Sequence, residues 1–82
     1  MGYYVYMLKS IEKRSITYVG YTKNLLNRLK LHNSGKGAKY TKGRSWKIIY
    51  SKKFPSKSDA IKNEYKLKKN YLLRKSIKNK AL

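Results

Sequence analysis

Cysteine is absent from the 82-residue sequence, and acidic residues are almost absent, with only three Asp and Glu side chains. The lack of cysteine excludes disulfides and thiolate zinc sites and favours an intracellular setting. No apolar run approaches the ~20 residues that a membrane helix needs, and the N-terminus lacks the layout of a secretory signal. We therefore expect a cytoplasmic protein without a membrane partner. Any carboxylate chemistry would have to use Glu12, Asp59 or Glu64.

Positive charge dominates the composition, with 22 Lys and Arg residues and a formal net charge of +19. A charge of this size opposes compaction and favours a polyanionic partner. Compositional drift towards AT-rich codons would raise Glu as readily as Lys, so drift does not explain the scarcity of acids. Nucleic acid is the expected partner, DNA first and RNA not excluded, and an anionic membrane surface is the weaker alternative.

Hydrophobic patterning predicts an α+β fold. Aromatic and β-branched residues favour strands at 3–8, 16–19 and 46–54. Helical spacing follows Thr22, which is expected to be the N-cap, and a second helix is predicted at 58–70 after a Ser56–Asp59 capping box. The C-terminal segment is predicted to be a further helix or a tail. The order implies one domain, residues 1–82, with a three-stranded, mainly antiparallel sheet flanked by helices.

The segment "NSGKGAKYTKGRS" (33–45) is a long glycine-rich loop, with only Ala38 and Tyr40 to bury. Loops of this length are usually functional or disordered. Four cations lie in it, and we expect them to contact the phosphate backbone of a nucleic acid without reading bases. These residues are Lys36, Lys39, Lys42 and Arg44.

Glu64 has an unusual position on the predicted 58–70 helix, because apolar residues flank it on both sides. A charge among apolar neighbours is costly unless it is paired or bound to a metal. An ion pair with Lys68, four residues on, would also explain it. Helix position alone leaves both interpretations open.

Four further residues could carry chemistry. Arg28 and His32 are four apart on the first predicted helix, where an arginine suits phosphate oxygens and a histidine can exchange a proton. A solvated arginine beside a half-buried histidine is the alternative. Tyr6 and Tyr18 lie on presumed neighbouring strands. A tyrosine is a poor base unless cations or a metal stabilise its phenolate, and most strand tyrosines simply pack.

Taken together, these residues resemble the signature of the GIY-YIG nuclease superfamily. "YVY" (4–6) is followed by "YVG" (18–20), and then by an arginine eight residues after that glycine, a histidine one turn on and a glutamate in the next helix. The stretch "LHNSGKGAKYTKGRSW" (31–46) is similar to the small single-domain bacterial GIY-YIG proteins. It is also similar to the branched-DNA-cutting nuclease subunit of eukaryotes.

The resemblance implies a Mg²⁺- or Mn²⁺-dependent endonuclease that hydrolyses phosphodiester bonds, with a role in DNA repair. It assigns catalytic roles to Tyr6, Tyr18, Arg28, His32 and Glu64. One of the tyrosines would help to deprotonate the attacking water, Arg28 would stabilise the pentacovalent phosphate, and His32 would lie beside the nucleophile. Glu64 would bind the metal, and Gly20 would allow a close approach of backbone at the nucleic-acid site.

The sequence also departs from the family pattern. The first half-motif lacks its glycine, Tyr21 stands where some members have lysine, and Asn70 and Asn79 are both candidates for a late asparagine of the family. No additional DNA-binding domain is present in this sequence, so an accessory protein that supplies specificity is expected. The main hypothesis is a structure-selective endonuclease for branched or damaged DNA, with little sequence specificity. The alternative is a non-catalytic basic nucleic-acid-binding module with the nuclease fold.

Overall fold

A computed structural model describes residues 2–81 of the chain. Three strands and three helices follow one another in the predicted order, and a single 3₁₀ turn, Lys39–Thr41, interrupts the long loop. The strands are β1 (Tyr3–Ser10), β2 (Thr17–Thr22) and β3 (Trp46–Phe54), and the helices are α1 (Leu25–Asn33), α2 (Lys57–Lys69) and α3 (Tyr71–Lys80). The predicted α+β class is confirmed. No helix in the described part of the chain is long and apolar enough to cross a membrane.

The sheet has the order β2-β1-β3, and both pairings are antiparallel. β1 is therefore central, and β2 and β3 are the two edge strands. Tyr6 lies opposite Gly20 and Leu8 lies opposite Tyr18 in the β1–β2 register. Because side chains on a strand alternate between the two faces, Tyr6 and Tyr18 lie on the same face of the sheet, on neighbouring strands.

Each face of the sheet has its own core. On one face, Val5, Met7 and Val19 pack with Ala60 and Leu67 of α2. On the other face, a buried cluster of Tyr6, Leu8 and Trp46 packs against α1, with Leu25, Leu29, Tyr18, Ile16 and Ile48 around it. The sheet therefore has α2 and α3 on one side and α1 on the other. Residues from the two sides come together beyond the free edge of β2.

Two helix starts test the expected caps. The expectation that Thr22 caps α1 is wrong, because Thr22 is the last residue of β2 and Asn24 is the N-cap. The Asn24 side chain accepts a hydrogen bond from the Asn27 backbone N–H at 3.0 Å, while the Thr22 hydroxyl accepts one from the Asn24 backbone N–H at 3.3 Å. Ser56 is the N-cap of α2, as predicted, and accepts from the Asp59 backbone N–H at 3.1 Å.

The glycine-rich loop has a defined path, fixed by contacts at both ends. The Asn33 side chain accepts from the Trp46 backbone N–H at 2.6 Å, and the Trp46 indole N–H donates to the Thr41 carbonyl at 2.9 Å. Thr41 is fully buried, whereas Tyr40 is 55% exposed. Tyr40, one of the two residues that this loop offered for burial, is therefore largely exposed, and the 3₁₀ turn directs Thr41 inwards instead.

Candidate active site

A cleft of about 670 Å³ opens at the free edge of β2. Residues from both faces of the sheet line it, because β2 is an edge strand and the two faces meet beyond it. Arg28 reaches it from α1, Glu64 from α2, Tyr6 from β1 and Tyr18 from β2. The remaining lining residues are Tyr3, Gly20, Tyr21, Thr22, Lys23, Asn24, Asn27 and Lys57. Four of the five predicted catalytic residues therefore meet in one cleft.

His32, the fifth predicted residue, is buried directly behind the two tyrosines. Its ring centroid lies 5.0 Å from that of Tyr18 and 5.9 Å from that of Tyr6. The Tyr6 hydroxyl and His32 Nε2 form a buried hydrogen bond of 2.8 Å. His32 can therefore exchange a proton with the cleft through Tyr6 without being exposed to solvent itself.

Two glycines make room for this Tyr6–His32 pair. A Cβ atom at Gly20 would lie 2.6 Å from the Tyr6 hydroxyl oxygen and 2.8 Å from the ring carbon that bears it. A Cβ at Gly37 would overlap the His32 ring at Nδ1. Gly20 was expected to allow a close approach of backbone at the nucleic-acid site. In the structure it allows the Tyr6 side chain to approach the backbone of β2 closely.

Thr41 fixes the direction of the hydrogen bonds. Its hydroxyl donates to the Ala38 carbonyl at 3.0 Å and also contacts His32 Nδ1 at 2.9 Å. Because the hydroxyl proton is directed to Ala38, the threonine oxygen accepts, and Nδ1 is the protonated ring nitrogen. Nε2 of the neutral imidazole is then the acceptor, so Tyr6 donates its phenol proton to it. The chain of donors runs from Tyr6 through His32 and Thr41 to a backbone carbonyl.

The electrostatic environment keeps this pair neutral. Burial raises the pKa of the Tyr6 phenol well above its ordinary value, the neighbouring Tyr18 and Glu64 raise it further, and Arg28 opposes them only in part. Burial lowers the pKa of His32, and the positive charge of Arg28 lowers it further. At neutral pH the resting site therefore holds a phenol rather than a phenolate, with an uncharged imidazole ready to accept its proton.

The position of Glu64 is compatible with both interpretations that the sequence left open, a metal site and an ion pair with Lys68. It lines the cleft, and its carboxylate lies 3.6 Å from the Lys68 ammonium, one helical turn on. The Glu64 side chain is 18% exposed and that of Lys68 is 51% exposed. An i,i+4 ion pair on a helix surface contributes only about 0.3–0.5 kcal/mol. Glu64 is thus a mostly buried carboxylate whose ion-pair partner, Lys68, is half-exposed.

The donor atoms in the cleft suit a hard divalent cation. Glu64 supplies a carboxylate, the two tyrosines supply hydroxyls, and Asn27 adds a side-chain amide. Across residues 2–81, no group of three or more His, Asp and Glu side chains comes together. Mg²⁺ commonly uses one or two carboxylates together with waters and substrate phosphates, and Glu64 is the carboxylate that lines this cleft.

The other acidic residues have different surroundings. Glu12 pairs with Arg44 on the surface, and Asp59 lies in the first turn of α2. Neither lines the cleft. Arg44 is one of the four loop cations predicted to contact phosphate, and none of the four lines the cleft. They lie on the exposed outer side of the loop, while Thr41 faces inwards to His32.

Positive charge at the cleft comes instead from Arg28, Lys23 and Lys57. The two lysines were not among the predicted site residues, and neither was Thr41. Neither candidate late asparagine reaches the cleft: the Asn70 side chain caps α3, accepting from the Leu73 backbone N–H at 3.0 Å, and Asn79 lies near the end of α3. Lysines are common throughout this sequence, so only the folded structure could distinguish these two from the others.

Comparison with known proteins agrees with the geometry. The family described as the GIY-YIG catalytic domain matches residues 2–78. This chain belongs to that family. The chain is similar to the UPF0213 protein OB0043 of Oceanobacillus iheyensis, with 48% identity over 67 residues that cover 80% of this chain and 76% of the relative. It is also similar to the UPF0213 protein SH2523 of Staphylococcus haemolyticus, with 46% identity over 80% of this chain and 79% of the relative.

A solved structure supports the fold. The solution NMR structure of the UPF0213 protein BH0048 from Bacillus halodurans is 42% identical to this chain. It matches with a TM-score of 0.53 over 93% of this chain and 80% of that protein. The predicted resemblance to small GIY-YIG proteins is confirmed at the level of family and fold.

Proposed function

We propose that this GIY-YIG protein is a metal-dependent endonuclease that hydrolyses phosphodiester bonds. The observation that carries the proposal is the meeting of Tyr6, Tyr18, Arg28 and Glu64 in one cleft, with His32 hydrogen-bonded behind Tyr6. These side chains come from four different elements, so no single helix or strand pattern accounts for their convergence. Glu64 is the carboxylate that would hold a divalent cation in this cleft.

In the proposed reaction, Tyr6 and His32 act as a proton relay. A water molecule attacks the phosphorus atom and gives its proton to the Tyr6 hydroxyl oxygen, while the phenol proton moves to His32 Nε2. The imidazolium that forms retains its Nδ1–H hydrogen bond to Thr41. The P–O bond to the leaving group breaks, and the leaving oxygen takes a proton from solvent. The raised pKa of Tyr6 supports a relay rather than a resting phenolate.

Arg28 is positioned to stabilise the negative charge that develops on the phosphate oxygens. Its guanidinium can form two parallel hydrogen bonds to phosphate, and removal of such a group commonly costs 10³-fold or more in phosphoryl transfer. Lys23 and Lys57 add positive charge to the same cleft. A Mg²⁺ or Mn²⁺ ion held by Glu64 would supply further charge neutralisation at the phosphate.

Branched or damaged DNA is the substrate that we propose, with a role in DNA repair in the cytoplasm. Cations that contact the phosphate backbone would hold such a substrate without reading its sequence. RNA is a second possible substrate, and an accessory protein would supply specificity to this single domain. The alternative function is a non-catalytic nucleic-acid-binding module, which the net charge of +19 would support equally well.

Cleavage of labelled duplex, flap and four-way-junction DNA with Mg²⁺ or Mn²⁺ tests the proposal. Wild type is compared with Glu64→Gln at matched protein and salt concentrations. Asp59→Asn is the matched control, because it removes a carboxylate from the same helix without touching the cleft. We expect metal-dependent nicking by wild type and Asp59→Asn, and its loss in Glu64→Gln.

The other outcomes are equally informative. Binding by all three proteins without cleavage would favour the non-catalytic module. Equal cleavage by wild type and Glu64→Gln would mean that Glu64 does not hold the metal and serves only as the partner of Lys68.

A further inference from the structure

A groove continues from the cleft along the free edge of β2. The cleft shares Tyr18 with an adjoining hollow of about 320 Å³ that Thr17, Val19, Tyr40, Lys68 and Arg74 also line. This hollow shares Thr17 and Arg74 with a third one of about 260 Å³ beside α3. The three openings therefore follow β2 backwards from Thr22 to Thr17. We refer to the second and third hollows together as the β2 edge groove.

Tyr40 forms an aromatic wall at the point where the β2 edge groove leaves the cleft. Its ring stacks on that of Tyr18, with centroids 6.0 Å apart and an angle of 28° between the planes, and its centroid lies 6.5 Å from that of Trp46. The side chain nevertheless stays 55% exposed. The next residue, Thr41, is fixed by its hydrogen bond to His32. An exposed aromatic ring is thus held next to a catalytic tyrosine by the same turn that positions the catalytic histidine.

The β2 edge groove is basic. Lys68 and Arg74 line its first part, and Lys75 and Lys78 line its second part. Arg74 is held in place, because its Nε–H donates to the Leu67 carbonyl at 3.1 Å and its guanidinium lies 5.8 Å from the Tyr71 ring centroid. No carboxylate lines either hollow. A basic channel with exposed aromatic rings is the usual arrangement for binding single-stranded nucleic acid.

We propose that the β2 edge groove binds an unpaired nucleic-acid strand, and that Tyr40 stacks on a base next to the phosphate in the cleft. An aromatic side chain stacks well only on a base that is unpaired or at an end, since neighbouring pairs cover both faces of a base within a duplex. The preferred substrate class is therefore nucleic acid with unpaired nucleotides beside the cleaved bond.

This inference rests on the proposed function only in taking the cleft as the phosphate site. The test is binding without metal, so it does not depend on cleavage. Fluorescence anisotropy measures the affinity for a labelled thymidine oligonucleotide and for a hairpin duplex of equal phosphate number. The Tyr40→Ala and Tyr40→Phe variants are compared with Tyr65→Ala. Tyr65 is a matched control, since it is 59% exposed, lies 5.0 Å from a lysine ammonium and lines neither hollow.

We expect Tyr40→Ala to weaken single-strand binding about tenfold, because loss of one base–aromatic stack has an effect of about this size. Tyr40→Phe and Tyr65→Ala should change it by less than about twofold, and duplex binding should change little in any variant. Unchanged melting temperatures would show that Tyr40→Ala is folded. Any of three results would overturn the inference. They are an equal loss of affinity in Tyr40→Ala and Tyr65→Ala, an equal loss for duplex and single strand, and unchanged single-strand binding in Tyr40→Ala.

The cations of the β2 edge groove allow a second test. Lys75→Gln should reduce the slope of log affinity against log salt concentration by about 0.7 for the single strand, as expected for one lost phosphate contact. Lys47→Gln is the control, because Lys47 is exposed on β3 at the opposite edge of the sheet. Equal slopes for the two variants would place the strand elsewhere.

Discussion

The two faces of the sheet are both buried, but by different kinds of residue. The face towards α2 and α3 is apolar and centres on Val5, Met7 and Val19. The face towards α1 buries a chain of polar groups in which Tyr6, His32 and Thr41 are linked by hydrogen bonds of 2.8 and 2.9 Å. Within the described residues, no buried side-chain nitrogen or oxygen lacks a partner.

The two faces therefore have different roles: the apolar face mainly stabilises the fold, and the polar face positions the groups proposed for catalysis. An apolar face stabilises a small domain without constraining it to one set of polar contacts. Burial of hydrogen-bonded polar side chains adds little net stability, because each hydrogen bond contributes only about 1 kcal/mol. The hydrogen bonds do, however, fix the positions and protonation states of these side chains. The proposed catalytic groups belong to the polar face, and Glu64 reaches them around the edge of β2 from the apolar side. Substitutions on the two faces should therefore have distinct effects.

The largest effect on cleavage is expected for Arg28→Ala. Loss of the guanidinium should reduce the cleavage rate by about 10³-fold or more. Nucleic-acid affinity should largely remain, because 21 of the 22 Lys and Arg residues are unchanged. Single-turnover cleavage and anisotropy on the same substrate measure the two quantities. Lys30→Ala on the same helix is the control, and a proportionate loss of binding and cleavage in Arg28→Ala would argue against a transition-state role.

The next effect distinguishes the two tyrosines. Tyr6→Phe removes the hydroxyl that donates to His32, and we expect a loss of about 10²- to 10⁴-fold in cleavage, the usual range for general acid–base groups. Tyr18→Phe should lose less, since Tyr18 contacts His32 through its ring. The measurement is the single-turnover rate of both variants at several pH values. A larger loss in Tyr18→Phe than in Tyr6→Phe would assign the proton relay to Tyr18.

The apolar face should show the opposite behaviour. Met7 is fully buried, and Met7→Ala should lower the free energy of unfolding by about 2–5 kcal/mol through lost contacts and a residual cavity. Ile11→Ala, at a 64% exposed site, should change it by less than about 0.5 kcal/mol. Urea unfolding measures both. Cleavage per folded molecule should match wild type in Met7→Ala, and a selective loss of cleavage there would show that the two faces are coupled.

The sequence predicted the fold and four side chains that meet in the cleft, because their signals are local or follow a family motif. The strand and helix periodicities gave the order of elements, and the spacing of Tyr6, Tyr18, Arg28 and Glu64 matched the GIY-YIG pattern. The cap of α1 was misassigned because Thr22 and Asn24 are both good caps only two residues apart. Which of the two residues caps the helix depends on how far along β2 the pairing with β1 continues. In the structure the pairing continues to Thr22, which leaves Asn24 as the cap.

The remaining features depend on long-range contacts. Nothing in "KGAKYTKG" has a helical or strand period, so the sequence could not predict that Tyr40 faces solvent and Thr41 faces His32. That arrangement depends on Trp46, whose indole donates to the Thr41 carbonyl at 2.9 Å. In the same way, Lys23 and Lys57 look like any other lysine until the fold brings β2 and α2 to one cleft.

The smallest predicted effect concerns pH and the buried imidazole. His32 is the single histidine of the chain, and burial and Arg28 hold its pKa below the ordinary value of about 6.5. Between the lower folded pKa and the unfolded value, the unfolded chain binds more protons. The free energy of unfolding therefore rises with pH in this window. This contribution of the neutral His32 to the free energy of unfolding is fully present above about pH 6.5. It is lost as the pH falls through the pKa of His32 in the folded protein.

We therefore expect the melting temperature of wild type to fall on acidification below about pH 6.5, and that of His32→Gln to fall less. An NMR titration of the His32 ring should give a pKa below 6.5 directly. The cleavage rate should rise through the same folded pKa and level off at neutral pH, because the relay needs an unprotonated Nε2. A His32 pKa above 6.5 would contradict both the dry, Arg28-facing environment and the direction of proton transfer from Tyr6.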